Sequence, residues 1–414
     1  MALLQPFRGL RPPKDLVQQI AAPPYDVMNR DEARAFSAGN EKSFFHVSRP
    51  EIEFGPDVDE HADVVYARGR ENLNRFRQAG WLRMDEAPVF YVYRQKMGAH
   101  VQTGLVAAAS VEEYDDGRIR KHELTRADKE DDRTRHIDAL GANDEPVFLT
   151  YRADPAIDAL IAEATRSTPE YDFTTEDGIG HTFWVLDRSM NPRIQRAFEK
   201  VPRLYIADGH HRSAAASRVR KLRRARGEAG AGHDGFLAVI FPHDQMQILD
   251  YNRVVKDLRG MTPEAFLARI SGKFEIDDEL PGKKPGALHH FGLYLQGRWR
   301  RLRPKPGTFP NTPVGGLDVS ILQNNLLGPV LGIGDPRTDR RIHFVGGIRG
   351  TEELERLVDS GEYAVAFSMF PTSLEQLMAI ADANEIMPPK STWFEPKLRS
   401  GLVLHPFDAA PLGA

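Results

Sequence analysis

Leu204-Tyr205-Ile206-Ala207-Asp208-Gly209-His210-His211-Arg212-Ser213 is the stretch on which the fold of this 414-residue chain turns. Leu204 to Ala207 predicts a short buried strand, and the alanine-rich run from Ser213 to Val219 predicts a helix. The polar cluster therefore falls at a strand-to-helix junction. There the first amide groups of the helix lack intrahelical partners and, with the helix dipole, favour an anion. Gly209 has no Cβ and lets the backbone approach a ligand. Arg212 offers a fork suited to phosphate oxygens, and His210 and His211 offer donors. Asp208 would repel a bare phosphate, so it reads as a ligand for Mg²⁺ riding on phosphates or as a base. The plainer alternative is a helix capped by Asp208, a turn at Gly209 and surface histidines. A zinc site of Asp208, His210 and His211 is a third, but adjacent histidines point apart and no further ligand has the spacing to close it.

Outward from this turn, strand-length apolar runs alternate with segments of helical period. Strands are predicted at 88–94, 101–114, 147–151, 182–186, 204–207 and 235–241. Helices are predicted at 57–79, 155–164, 191–200, 213–226, 262–272, 317–331, 351–360 and 372–383. The fold class is α/β. Consecutive strands without a helix between them, at 88–114 and 287–303, argue for a mixed sheet over a purely parallel one. Arg226 to Gly235, with four glycines, suits an exposed connection. We expect two lobes, 1–240 carrying the central turn and 241–414 contributing a C-terminal segment around Met387 to Thr392.

Composition removes several function classes. The chain has no cysteine, which excludes disulfides, thiolate zinc sites and cysteine nucleophiles. Its net charge of −4 gives no general pull toward nucleic acid or membrane. No signal-like N-terminal run and no stretch of about eighteen apolar residues occurs, so a cytoplasmic location is expected and a membrane is not. The basic run Arg218 to Arg226 lacks interleaved aromatics for base stacking and reads as a solvated helix end. Nucleic acid is therefore not an expected partner, and a homo-oligomer is left open.

Three further segments carry candidate chemistry. Lys121-His122-Glu123-Leu124-Thr125 follows a strand-like run, and His122, Glu123 and Thr125 place a base or metal ligand beside a hydroxyl. The dense charges from Arg126 to Arg133 that follow read as a solvated face. Prolines stiffen Ala22-Pro23-Pro24-Tyr25-Asp26, which can hold Tyr25 and Asp26 over a ligand. In Pro388-Pro389-Lys390-Ser391-Thr392, Lys390 with the hydroxyls of Ser391 and Thr392 suits an anion.

Six segments in order resemble the bacterial and archaeal family known as domain of unknown function 1015. They are Pro6 to Pro12, Ala22 to Val27, Lys121 to Thr125, Ala207 to Arg212, Leu317 to Leu322 and Met387 to Lys397. The turn Asp208-Gly209-His210-His211-Arg212 also resembles that of free serine kinases of the ParB and sulfiredoxin superfamily, where a Gly-x-His-Arg segment at a helix start binds nucleotide phosphates. The resemblance implies a ParB/sulfiredoxin-like nucleotide-binding core with a second α/β lobe. It also implies phosphate contacts from Gly209, His211 and Arg212, a hydroxyl from Ser213, and serine or phosphoserine as the small partner. The missing cysteine excludes the thiol chemistry of sulfiredoxin.

These readings converge on a Mg²⁺-dependent kinase that passes a phosphoryl group from ATP or ADP to a metabolite hydroxyl, L-serine being the favoured acceptor. Asp208 holds the Mg²⁺, Glu123 acts on the acceptor and His210 assists catalysis. A phosphatase or nucleotide hydrolase using the same cradle, and a nucleotide-sensing regulator without turnover, are the alternatives.

Overall fold

The apolar run Val147–Tyr151 forms a strand buried at every position, as expected of a strand covered on both faces. In the computed structural model, which describes residues 2–228 and 232–407, this strand pairs antiparallel with Leu204–Asp208 and parallel with Gly235–Pro242. The full order is Ile119–Arg120, Leu204–Asp208, Val147–Tyr151, Gly235–Pro242, His100–Ser110, Tyr91–Met97, Gly180–Val185 and Tyr171–Thr174, with Leu4–Gln5 also paired to His100–Ser110. The sheet is mixed and the class is α/β: Leu204–Asp208 runs parallel to Ile119–Arg120, while the 91–110 strands and those beyond are antiparallel.

The chain forms two compact units, Met1–Met246 with Pro396–Ala414, and Gln247–Glu395. The sequence counts everything after residue 240 as one lobe. In the structure the chain leaves the first unit after Met246 and returns at Pro396, because the returning segment is apolar and paired. Leu402, Val403 and Leu404 are buried, and His405–Pro406 pairs antiparallel with Ala142–Asn143.

In the first unit, helices Pro155–Ala164 and Asn191–Phe198 bury Ile157, Ile194 and Phe198 against Val92, Leu105, Leu149 and Ile240 of the sheet. A second cluster gathers Ile20, Phe44, Phe45, Leu73, Phe76, Leu140 and Leu404. The second unit has its own antiparallel sheet, in the order Phe274–Asp277, Arg298–Pro304, Phe291–Leu295, Val365–Met369, Tyr251–Val255 and Ile342–Gly346. Helix Gly350–Asp359 packs Leu354 and Leu357 on Val254, Tyr294, Val345 and Ala366 of that sheet.

Four local expectations are corrected. The run 101–114 is not one strand: it ends at Ser110, whose hydroxyl accepts the Glu113 amide and starts the helix Val111–Asp115. The charged stretch after Arg126 is the first half of a helix, Ala127–Leu140, which buries Asp132 and Arg133 along with Ile137 and Leu140. The predicted helix 57–79 starts at Asp63. The predicted helix 317–331 is α-helical only from Asp318 to Leu322 and then widens into a π turn at Gln323–Leu327. Of the glycine-rich stretch, Ala229, Gly230 and Ala231 lie outside the described residues. Gly232 packs so closely on Phe407 that a Cβ would fall 2.6 Å from its backbone, so the end of that stretch is a packed contact and not merely an exposed connection.

Candidate functional site

Two neighbouring parallel strands create the site. Ile119–Arg120 and Leu204–Asp208 run side by side in the same direction, so the segments that follow them, Lys121 to Thr125 and Gly209 to Arg212, emerge together. Ligands in α/β sheets commonly sit outside such carboxyl ends. Gly209 has a φ of +96° and opens the helix His210–Ala225, to which no side chain supplies a cap. The Gly209 carbonyl accepts the first intrahelical bond, from the Ser213 amide at 3.0 Å. The amides at the start of such a helix point outward with the positive end of its dipole.

Gly209 is held by a second constraint besides its φ. A Cβ there would meet the Arg212 guanidinium at 3.1 to 3.2 Å. Arg212 is buried and folds back over the turn, donating to the Pro146 carbonyl, with Glu145 Oε2 at 3.9 Å. Burial opposes its charge, but Asp26, Glu145 and Asp208 outweigh that and keep it protonated. The Ser213 hydroxyl, fully buried, donates to the Gly209 carbonyl at 3.1 Å within the helix.

Asp208 has partners on both carboxylate oxygens. Oδ1 accepts the Gly209 amide at 2.8 Å, and Oδ2 faces Lys397 Nζ at 3.1 Å. Burial would raise this carboxyl, yet Lys397 and Arg212 hold it far below the usual carboxylate range, so it is ionised. Lys397 arrives on the returning segment after the second unit.

On the other side of the turn lie His122, Glu123 and His210. The His122 and His210 rings meet edge to face with centroids 4.4 Å apart, and His210 Nδ1 is 3.9 Å from Glu123 Oε2. Both rings are buried, whereas Glu123 is exposed. Burial pushes His122 down to about 4, against a smaller opposite pull from Asp208 and the Ile206 carbonyl. Burial and the neighbouring His122 push His210 well below the ordinary imidazole range. Both rings are therefore neutral at pH 7. Neither His122 nitrogen, nor Nε2 of His210, has a hydrogen-bond partner of good geometry among the described residues.

The remaining expected residues divide into those at this site and those elsewhere. His211 is half-buried and accepts the Arg126 amide on Nε2 at 3.1 Å. The Thr125 hydroxyl donates to Glu130. The Tyr25 amide donates to Glu145 Oε1 at 3.0 Å, its ring lies under Arg133 with the guanidinium carbon 4.1 Å from the centroid, and Asp26 is exposed beside it. Lys390, Ser391 and Thr392 fall in the second unit. There Arg253 donates to the Lys390 carbonyl at 2.9 Å, and the Ser391 hydroxyl donates to the Pro388 carbonyl at 2.6 Å.

Sequence reasoning missed Lys397 and Glu145. Lys397 ends the Met387 to Lys397 segment, but nothing in its spacing ties it to a residue 189 positions away. Glu145 follows Asp144 in a short stretch before a strand, and that adjacency is the only signal. Buried beside Asp144, it is raised to about 8, with Arg212 pulling the other way. Ser400 also donates to it at 2.9 Å.

The family model described as "Protein of unknown function (DUF1015)" matches residues 4–320. The chain belongs to that family. Among solved structures, this DUF1015 chain is similar to a conserved hypothetical protein from Pyrococcus furiosus, at 12% identity over 71% of this chain and 94% of that one, with a TM-score of 0.34. It is similar to a free serine kinase in complex with AMP, at 15% identity over 71% and 90% of the two chains, TM-score 0.34. A third is SbnI with a C-terminal truncation from Staphylococcus aureus, at 12% identity over 71% and 85%, TM-score 0.36. Likenesses this remote leave the chemistry of the DUF1015 chain to its own geometry. No curated protein matches it. Among the described residues no helix is long and apolar enough to cross a membrane.

Proposed function

We propose that the first unit binds a nucleotide by its phosphates at the Gly209–Arg212 turn and transfers a phosphoryl group from ATP or ADP to the hydroxyl of a small metabolite, L-serine being the favoured acceptor. The observation that carries this reading is the uncapped, glycine-started helix His210–Ala225 with Lys397 and Arg212 gathered at its positive end. Phosphoryl transfer asks a protein for positioning and charge stabilisation more than for covalent chemistry. Main-chain amides of His210, His211 and Arg212 offer that without any cofactor.

Glu123 is the group proposed to orient or deprotonate the acceptor hydroxyl. It is exposed, sits on the rim of the same turn and lies beside the neutral His210. Asp208 fits poorly as the ligand of a resident Mg²⁺, because one oxygen accepts the Gly209 amide and the other faces an ammonium group. We therefore read Mg²⁺ as the counter-ion that accompanies the nucleotide, where it neutralises charge on the phosphates. Asp208 then acts by fixing Lys397.

Calorimetric titration of the purified chain with AMP, ADP and ATP tests the phosphate site. Saturable binding that is weakened in Lys397→Ala supports it. Absence of binding for all three nucleotides, with and without Mg²⁺, overturns it.

A further inference from the structure

We infer that His122, His210 and Glu123 form a binding site for one divalent transition-metal ion, Zn²⁺ being the probe of choice, separate from any Mg²⁺ that travels with a nucleotide. Among the described residues these three are the one group whose imidazole nitrogens and carboxylate oxygens converge, all ligand atoms lying within 4.8 Å of one another. Tetrahedral zinc with nitrogen ligands at the usual bond length sets its donors about 3.3 Å apart. The cluster must therefore contract by at most roughly 1.5 Å, and Glu123, whose side chain is exposed, is the ligand at the surface.

The second observation concerns hydrogen bonding. Buried polar nitrogens are nearly always paired, yet both ring nitrogens of His122 and Nε2 of His210 are buried without a good partner. A metal would take one nitrogen of each ring, a partner that no neighbouring side chain supplies. The charge around them is mixed: Asp208 acts on both rings, and Lys121 and His211 oppose it at His210. Two imidazoles with one carboxylate select zinc and its first-row neighbours over Mg²⁺ or Ca²⁺, which prefer all-oxygen shells. Three protein ligands leave a fourth position for water or a substrate oxygen, the pattern of a catalytic site and not of a structural one.

The site shares Glu123 and His210 with the phosphoryl-transfer reading but does not rest on it, and the test separates them. The full chain, stripped with a chelator and dialysed, is titrated with Zn²⁺ and separately with Mg²⁺. The expected result is one Zn²⁺ per chain, held at least a hundredfold more tightly than Mg²⁺. His122→Ala and His210→Ala should each weaken Zn²⁺ at least tenfold. Because those positions are buried, two further measurements keep the inference falsifiable if the variants fail to fold. Glu123→Gln, at an exposed position, should weaken Zn²⁺ about tenfold. X-ray absorption of the zinc-loaded wild type should show imidazole scattering from two ligands. Zinc held no better than Mg²⁺, zinc with only oxygen neighbours, or binding unaffected in Glu123→Gln and in every histidine variant that folds would overturn the inference. A chain that binds zinc in this way but no nucleotide would refute the proposed function and leave this site standing.

Discussion

Lys397 Nζ lies 3.1 Å from Asp208 Oδ2, joining residues 189 positions apart across the excursion of the chain into its second unit. The pair fixes an ammonium group beside the start of the helix His210–Ala225, where phosphate is proposed to bind. Lys397→Ala should therefore weaken ADP and ATP binding by about 10- to 100-fold, the range of a lost charge-assisted contact. Calorimetric titration checks it; equal affinity in variant and wild type would remove Lys397 from the site.

Gly209 is constrained twice, by its φ of +96° and by the guanidinium of Arg212 lying over it. Gly209→Ala should cost about 1 to 3 kcal/mol of unfolding free energy, read from urea denaturation. It should also displace Arg212 and reduce nucleotide affinity. A variant as stable as the wild type would mean that the turn relaxes readily into another shape.

Glu123 is exposed and proposed to act on the acceptor hydroxyl. With that role, Glu123→Gln lowers the acceptor-dependent turnover by about 10²- to 10⁴-fold and leaves nucleotide affinity unchanged, because the residue is assigned to the acceptor and not to the phosphates. Steady-state kinetics with separate nucleotide titrations distinguish the two effects. Full turnover in the variant would exclude Glu123 as the base.

Two buried histidines away from the turn set a pH dependence of stability. Burial lowers His405 to about 4, and burial with the charge of Arg399 lowers His181 to about 3. Below about pH 6.5 the unfolded chain binds protons at these positions that the folded chain does not accept until pH 4 or 3. Their contribution is therefore complete above pH 6.5 and is lost as pH falls toward 4, at up to about 1.4 kcal/mol per pH unit for each histidine. Urea unfolding between pH 7 and 4.5 should show a shallower slope for His405→Gln than for the wild type. Identical slopes would contradict the assignment.

Much of the fold is legible in the sequence where local signals agree. Val147–Tyr151 and Pro155–Ala164 appear with the predicted bounds, the first because its apolar run is unbroken, the second because Asp154 caps the helix and Pro155 occupies its first turn. The Asp208–Arg212 turn was visible for the same reason, a strand former and a helix former meeting at a glycine. What escaped depends on distant partners. The charged segment Arg126 to Arg133 reads as surface until Asp132 accepts from Tyr66 and Arg133 stacks on Tyr25. The meeting of His122 with His210 needs the parallel pairing of Ile119–Arg120 with Leu204–Tyr205, and no local pattern announces a two-residue strand. Lys397 required knowing that the chain returns to its first unit.

Phosphoryl transfer at the Asp208–Arg212 turn is read out by phosphorus NMR of the products. The purified chain is incubated with Mg²⁺ and ATP or ADP, with L-serine and then with a pool of other hydroxyl metabolites. A new phosphomonoester resonance is expected that depends on both acceptor and enzyme and is lost in Glu123→Gln. Nucleotide left intact with every acceptor, or inorganic phosphate released at the same rate with and without acceptor, would contradict it.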